Sequence, residues 1–323
     1  MARFKFVFLP PVSDVQRQWA ERLARDVPEA DVSVPESRED TRREIVDAGG
    51  VFGRLDPELL SLARDLKWLQ APAIAPPAGF YFDELVAHPS VATNFREIFN
   101  DHIAAHIMMY VLSFARGMHY YVRRQLAHEY RPARVDTGVV HLPEATALIV
   151  GVGGIGSEAA KHCTHFGMQV LGIDARREDT PEGVAELHRP EELDGLLPKA
   201  DFVILTIPHT PQTEGMFGRA KFRAMKDSAF FINIGRGKTT RLHDLDAALR
   251  AGEIAGAGLD VYEEEPLPKD HPLWTAPNTI LTPHTAGFGP YLNDRRYEIL
   301  VDNARRFAAG QPLRNVVDKA NWF

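Results

Sequence analysis

The stretch Ala147-Leu148-Ile149-Val150-Gly151-Val152-Gly153-Gly154-Ile155-Gly156 decides the fold. Its continuous apolar start reads as a strand covered on both faces, since a half-exposed strand would alternate. The glycines follow as Gly-x-Gly-x-x-Gly, and Ser157 to Phe166 then reads as a helix. The spacing alone is a weak signal; between a strand and a helix it marks a dinucleotide-binding turn. Gly151 permits the tight turn, Gly153 lets backbone approach a pyrophosphate, and Gly156 lets helix pack on strand. Gly154 and Ile155 complete the set of cofactor contacts, and the helix N-terminus offers free N–H groups and a favourable dipole to the phosphates. Asp174 ends the next strand, about 20 residues beyond Gly153, where an acidic residue binds the adenosine ribose diol and disfavours a 2′-phosphate. Arg176 and Arg177 follow directly and could hold such a phosphate. NAD is therefore the expected cofactor, with NADP as the alternative.

On either side of this turn the chain alternates strand and helix. Upstream, Phe4 to Leu9, Gly50 to Phe52 and Leu66 to Gln70 read as strands. Val15 to Arg25 reads as a helix, as does Pro57 to Arg64 with Asp56 as N-cap. Asn100 to Met118 reads as one long helix, followed by a looser charged stretch from Tyr120 to His141. Downstream strands are expected at Val170 to Asp174, Phe202 to Thr206, Phe230 to Ile234, Gly256 to Leu259 and Thr279 to Thr282. Helices are expected at Ala220 to Met225, at Leu242 to Ala251 with Gly252 closing it, and at Tyr291 to Ala309. The pattern is α/β: two doubly wound parallel-sheet domains with a cleft between them.

Composition narrows the classes. The formal charge of −7 argues against a nucleic-acid partner, which needs a basic face. Cys163 is the only cysteine, so no intrachain disulfide forms and a cytoplasmic location fits. Two charges interrupt the apolar N-terminus, unlike a signal peptide. The apolar run from Ile103 to Ala115 is too short to span a bilayer, which takes about 20 residues. His102 and His106 are four apart on a helix, a spacing that can bind metal, but no third ligand pattern accompanies them, and no metal is expected.

Three polar residues follow the turn, each in its own motif: Arg236 in Asn233-Ile234-Gly235-Arg236-Gly237, Glu265 in Asp260-Val261-Tyr262-Glu263-Glu264-Glu265-Pro266, and His284 in Thr282-Pro283-His284-Thr285-Ala286-Gly287. A cation holds an anion, a carboxylate supports an imidazole, and an imidazole moves a proton. Together they suit hydride transfer to a carbonyl, because the carbonyl develops oxyanion character and must be protonated. Singly, the arginine could be solvated, Glu265 could belong to an exposed acidic run, and His284 could be a loop histidine; their order after this turn favours chemistry.

With these motifs, with Leu205-Thr206-Ile207-Pro208-His209-Thr210-Pro211-Gln212-Thr213 and with the ending Gly310 to Asp318, the chain resembles the D-isomer-specific 2-hydroxyacid dehydrogenase family. The resemblance is strongest from Thr146 to Gly287. It implies a Rossmann-type NAD(P)-binding domain at 101–288, inserted into a flavodoxin-like substrate domain made of 1–100 and 289–323. Arg236 would bind the substrate carboxylate and carbonyl oxygen. His284 would be the acid in reduction and the base in oxidation, oriented by Glu265. Asp260 would face the nicotinamide side, and Ile207, Pro208, Thr213, Ile234 and Gly287 would also contact the cofactor. A homodimer built on the cofactor domain is implied, with Asn100 to His141 as its contact.

The substrate half departs from the family. Its loop reads Ala71-Pro72-Ala73-Ile74-Ala75-Pro76-Pro77-Ala78-Gly79, and since proline has no N–H, the expected donors to a substrate carboxylate are Ala73, Ile74 and Ala75. A bulky Phe95 and a basic Arg96 precede the long helix. Glyoxylate or hydroxypyruvate, a bulkier 2-oxo acid and 3-phosphoglycerate all stay open as substrates; glutamate at 265, where formate-oxidising members carry glutamine, argues against formate. The rival class is a non-catalytic dinucleotide-sensing protein on the same fold.

Overall fold

The computed structural model describes residues 2–74, 77, 79–132 and 139–320. The chain divides into two compact units, Met1–Ile98 with Pro290–Phe323, and Phe99–Gly289. The first opens with β1 (Phe4–Phe8), α1 (Asp14–Asp26), β2 (Ala30–Ser33), α2 (Arg38–Glu44) and β3 (Ala48–Phe52). It continues with α3 (Pro57–Leu62), β4 (Trp68–Gln70), α4 (Asp83–Ala87) and β5 (Val91–Thr93). All five strands are parallel, in the order β2-β1-β3-β4-β5. Helix α3 starts as the sequence predicts: the Asp56 carboxylate accepts from the Leu59 N–H at 2.8 Å, with Pro57 in the first turn. Helix α2 is not legible beforehand, because all its residues are polar and only Thr41 is buried, so it has no apolar period. Phe95 is no substrate-loop side chain. It is 1% exposed and packs against Trp19 and Phe52.

The second unit begins with α5 (Asn100–Ala115) and α6 (Met118–Leu126). The single long helix expected here ends three residues early, where Gly117 takes a left-handed φ of 69°. The stretch expected to be irregular begins instead with helix α6. Then come β6 (Thr146–Val150), α7 (Gly154–His165), β7 (Gln169–Ile173), β8 (Glu186–His188), α8 (Leu193–Leu196) and β9 (Phe202–Leu205). The unit closes with α9 (Arg219–Ala224), β10 (Phe230–Asn233), α10 (Leu242–Ala251), β11 (Gly256–Leu259) and β12 (Thr279–Leu281). Its seven strands are all parallel, ordered β12-β11-β10-β9-β6-β7-β8. Leu148 and Val150 feed the core on one sheet face, Ala147 and Ile149 that on the other. This is why β6 is apolar throughout.

The chain ends with α11 (Leu292–Ala308) in the first unit, where Phe307 packs edge-on to Phe4 and the Tyr297 hydroxyl donates to Asp26 at 2.7 Å.

In the second unit, α5 lies so close to β11 that a Cβ on Gly258 would sit 2.7 Å from the Tyr110 ring. Gly258→Ala therefore overpacks a rigid contact and should cost about 1–3 kcal/mol. Urea unfolding measures this; an unchanged midpoint would show that α5 can retreat freely.

Candidate active site

Strand β6 is hydrogen-bonded to β7 on one side and β9 on the other, so the chain reverses its winding at β6. Such a switch point opens a crevice beyond the strand ends. The glycine turn sits there, and each glycine answers a different constraint. Gly151 has φ 98°, and a Cβ on it would lie 2.8 Å from Ile207 Cγ2. A Cβ on Gly156 would lie 2.0 Å from the Gly151 carbonyl oxygen, and one on Gly154 would lie 2.6 Å from Asn100 Nδ2. Gly153 differs: a Cβ there would meet nothing within 4 Å. No side chain caps α7. Open space over Gly153 beside an uncapped N-terminus is what a pyrophosphate requires, so the turn fits a dinucleotide.

At the rim, the Asp174 carboxylate accepts from the N–H groups of Val152, Arg176 and Arg177 at 3.1, 2.9 and 3.0 Å. The Arg177 guanidinium bonds the Val152 carbonyl, Ser157 Oγ and Asp179, each at 2.9 Å, and so braces the turn. Arg176 is exposed.

Arg236 stands in a turn organised by Asn233, which the sequence reading did not single out. Its buried amide accepts from Gly235 N at 3.0 Å and donates to the Arg236 carbonyl at 3.2 Å, Thr239 Oγ1 at 3.2 Å and Thr240 Oγ1 at 2.9 Å. Gly237 must be glycine, because a Cβ there would lie 1.8 Å from the Tyr262 carbonyl oxygen. Arg236 donates to the Gly235 carbonyl at 2.7 Å, and among the described residues no carboxylate pairs with it. By surface area the side chain reaches water. The protein packed around the guanidinium still lowers its pKa by desolvation, with Glu265 opposing.

Glu265 and His284 meet directly: Glu265 Oε2 lies 2.7 Å from His284 Nδ1, while Oε1 accepts from the Tyr262 N–H at 3.0 Å. The acidic run thus divides its labour, since Glu263 caps α10 by accepting from Leu242 N at 2.8 Å. Arg236, Glu265 and His284 line one pocket of about 310 Å³, together with His209, Lys238 and Tyr262. Burial, with Asp260 and Glu265 adding to it, pushes the Tyr262 phenol well above its ordinary pKa.

Asp260 is 1% exposed, and its carboxylate accepts from Thr282 Oγ1 at 2.5 Å and from the N–H groups of Thr285 and Ala286 at 2.9 Å. Thr213 Oγ1 closes its own loop by donating to the Pro208 carbonyl at 2.8 Å and accepting from Thr210 N at 2.8 Å. Ile207 packs on the glycine turn, Ile234 is buried and Gly287 lies against Phe99. Ala73 and Ile74 belong to the other unit. Ala73 is exposed, and the Ile74 carbonyl accepts from Asn94 Nδ2 at 3.4 Å. Ala75 lies outside the described residues. Arg96 spends one guanidinium nitrogen on the Val316 carbonyl at 3.1 Å. His106 bonds Thr282 Oγ1 at 3.0 Å, and among the described residues no cluster of His, Cys, Asp and Glu could hold a metal.

The family described as D-isomer specific 2-hydroxyacid dehydrogenase, NAD binding domain, matches residues 108–286. Glyoxylate/hydroxypyruvate reductase B of Citrobacter koseri is 34% identical over 88% of this chain and 89% of that protein. A glyoxylate reductase of Korarchaeum cryptofilum is 40% identical over 53% of this chain and about half of that protein's length (51%). The NADPH-dependent glyoxylate/hydroxypyruvate reductase of Sinorhizobium meliloti, solved with NADP and sulfate, is 26% identical with a TM-score of 0.78, covering 99% of this chain and 100% of that one. A D-isomer specific 2-hydroxyacid dehydrogenase from Xanthobacter autotrophicus, solved with NADPH and MES, is 27% identical with a TM-score of 0.81, over the full length of both chains.

The glycine geometry separates folding from binding. Gly153→Ala should keep the melting temperature but weaken NADH or NADPH binding at least about tenfold, because the new methyl occupies the phosphate's space. Gly156→Ala should instead unfold at markedly lower temperature. Nucleotide fluorescence titration alongside thermal melting distinguishes the two, and equal nucleotide affinity in Gly153→Ala would refute the phosphate cradle.

Proposed function

The chain belongs to the D-isomer specific 2-hydroxyacid dehydrogenase family and is an NAD(P)-dependent oxidoreductase of 2-oxo acids; within that class, we propose that it reduces glyoxylate and hydroxypyruvate. The observation that carries the proposal is the Glu265–His284 contact of 2.7 Å beside Arg236 in one pocket. The names of the relatives support the substrate class. Nothing in the comparisons supports the sensing alternative.

In this reading Phe99–Gly289 binds the cofactor, and the residues expected to contact substrate, Ala73 and Ile74, belong to Met1–Ile98 with Pro290–Phe323. The contacts to the cofactor are the glycine turn with Ile155, and Asp174, Arg176, Ile207, Pro208, Thr213, Ile234, Asp260 and Gly287. NAD(P)H, when bound, supplies a hydride to the carbonyl carbon. Arg236 holds the substrate carboxylate with its planar fork and stabilises negative charge growing on the carbonyl oxygen. Nδ1–H of His284 donates to Glu265, which leaves Nε2–H of the imidazolium to deliver the proton to that oxygen. In the reverse direction neutral Nε2 takes the hydroxyl proton. Asp260 acts on this centre from behind, by holding the backbone on the C-terminal side of His284.

We assign a homodimer in the cytoplasm. Helix α6 buries none of its residues and exposes Met118, Val122 and Leu126 along one stretch, with Tyr130 just beyond. A monomer seldom leaves such a patch open, and a second copy of the chain is its expected cover. The one cysteine, Cys163, is buried, and burial pushes its thiol up to about 12, as suits a packing residue.

Oxidation of NADH and of NADPH, followed at 340 nm against glyoxylate, hydroxypyruvate, pyruvate and phenylpyruvate, tests the reaction. His284→Ala should lower kcat about 10²- to 10⁴-fold while nucleotide affinity stays within about twofold. A His284→Ala variant that keeps the wild-type kcat contradicts the assignment of His284. Light scattering should give twice the chain mass, and Leu126→Glu should halve it.

A further inference from the structure

We propose that His106 and Tyr110, one turn apart on α5, are positioning residues for the reduction: through the Thr282 hydroxyl and Asp260 they hold the loop that presents His284. The argument is one of hydrogen-bond directions. A threonine hydroxyl has one proton to donate and two lone pairs to accept with. Thr282 Oγ1 has three neighbours: Asp260 Oδ1 at 2.5 Å, Tyr110 Oη at 2.6 Å and His106 Nε2 at 3.0 Å. A carboxylate only accepts, so the Thr282 proton points to Asp260. Tyr110 and His106 must then both donate to Thr282, which fills its capacity. Burial lowers the His106 pKa against the opposing pull of Asp260, which favours the neutral ring, and the donor role places a proton on Nε2.

From Thr282 the chain of contacts runs to the catalytic loop. The same Asp260 carboxylate accepts from the N–H groups of Thr285 and Ala286, immediately after His284. Two residues before His284, the Thr282 carbonyl accepts from the Tyr262 hydroxyl at 2.9 Å. His284 itself has φ 54°, a left-handed conformation that a residue with a Cβ keeps only where its surroundings enforce it. The His106 and Tyr110 rings are set edge to face, 5.1 Å apart, and Tyr110 is fully buried over Gly258. Helix α5 is therefore a fixed base from which the loop is aimed. Neither ring lines the pocket of Arg236 and His284, so both act through Thr282.

The inference rests on His284 being the acid, and the experiment separates the two ideas. Tyr110→Phe keeps the ring over Gly258 and removes one donor. His106→Leu removes the other, and His106→Gln restores an N–H of similar reach. With NADH or NADPH and glyoxylate, Tyr110→Phe and His106→Leu should each lose about 5- to 10-fold in kcat, the scale of one hydrogen bond. Their nucleotide Kd and circular dichroism should stay at the wild-type values, and His106→Gln should recover most of the rate. Wild-type kcat in both Tyr110→Phe and His106→Leu overturns the inference, as does a His106→Gln variant no better than His106→Leu. His284→Ala is run beside them. If it stays active, the reading of His284 has failed; if it is dead while the α5 variants are unimpaired, only the positioning role has failed.

Discussion

In an all-parallel sheet every strand ends at the same edge, and in the second unit that constraint assembles the chemistry. Gly151 follows β6, Asp174 follows β7, Ile207 and Pro208 lie just past β9, Arg236 lies just past β10, Asp260 follows β11, and Thr282 and His284 follow β12. Residues more than 130 positions apart in sequence are brought to one edge by strand direction alone. Antiparallel pairing would send alternate loops to the opposite edge and break the set apart.

Close backbone approach is the second requirement. The loops after neighbouring strands touch main chain to main chain, with Gly235 against the Ile207 carbonyl and Gly237 against the Tyr262 carbonyl. The glycines that flank Arg236 are therefore packing residues of the sheet edge. They bring the Arg236 turn against the segment that carries Glu265, and Asn233 then shapes that turn from inside.

This division explains what was legible in the sequence. Strands of the second unit could be read because both sheet faces demand apolar side chains, and the turn could be read because phosphate binding demands glycine. Arg236, Glu265 and His284 could be picked out because their chemistry restricts residue type. The polar supports could not be: Thr282 and Tyr110 act through contacts between residues distant in sequence, Asn233 acts within its own turn, and an asparagine or threonine carries no mark of its partner. Helix α2 and strand β8 escaped for a different reason. One is polar throughout and the other has three residues, so neither shows a period. Phe95 misled because its place in sequence is beside a functional loop while its side chain belongs to an aromatic core.

The exposure of the central pair gives these supports their importance. Glu265 and His284 retain 35% and 50% of their side-chain surface, and an ion pair so open to water contributes little binding free energy of its own. A contact of 2.7 Å between two such groups cannot hold a loop in place; the loop must hold the contact. What fixes it is buried: the Asp260 carboxylate with its three donors, the Tyr262 hydroxyl on the Thr282 carbonyl, and α5 behind them. Burying a carboxylate is costly unless its lone pairs are filled, and here the groups that fill them are the backbone of the catalytic loop itself. Displacing that loop would strand Asp260 without partners. The energetic penalty of an unsatisfied buried charge thus becomes a force that keeps a solvent-facing histidine in one orientation.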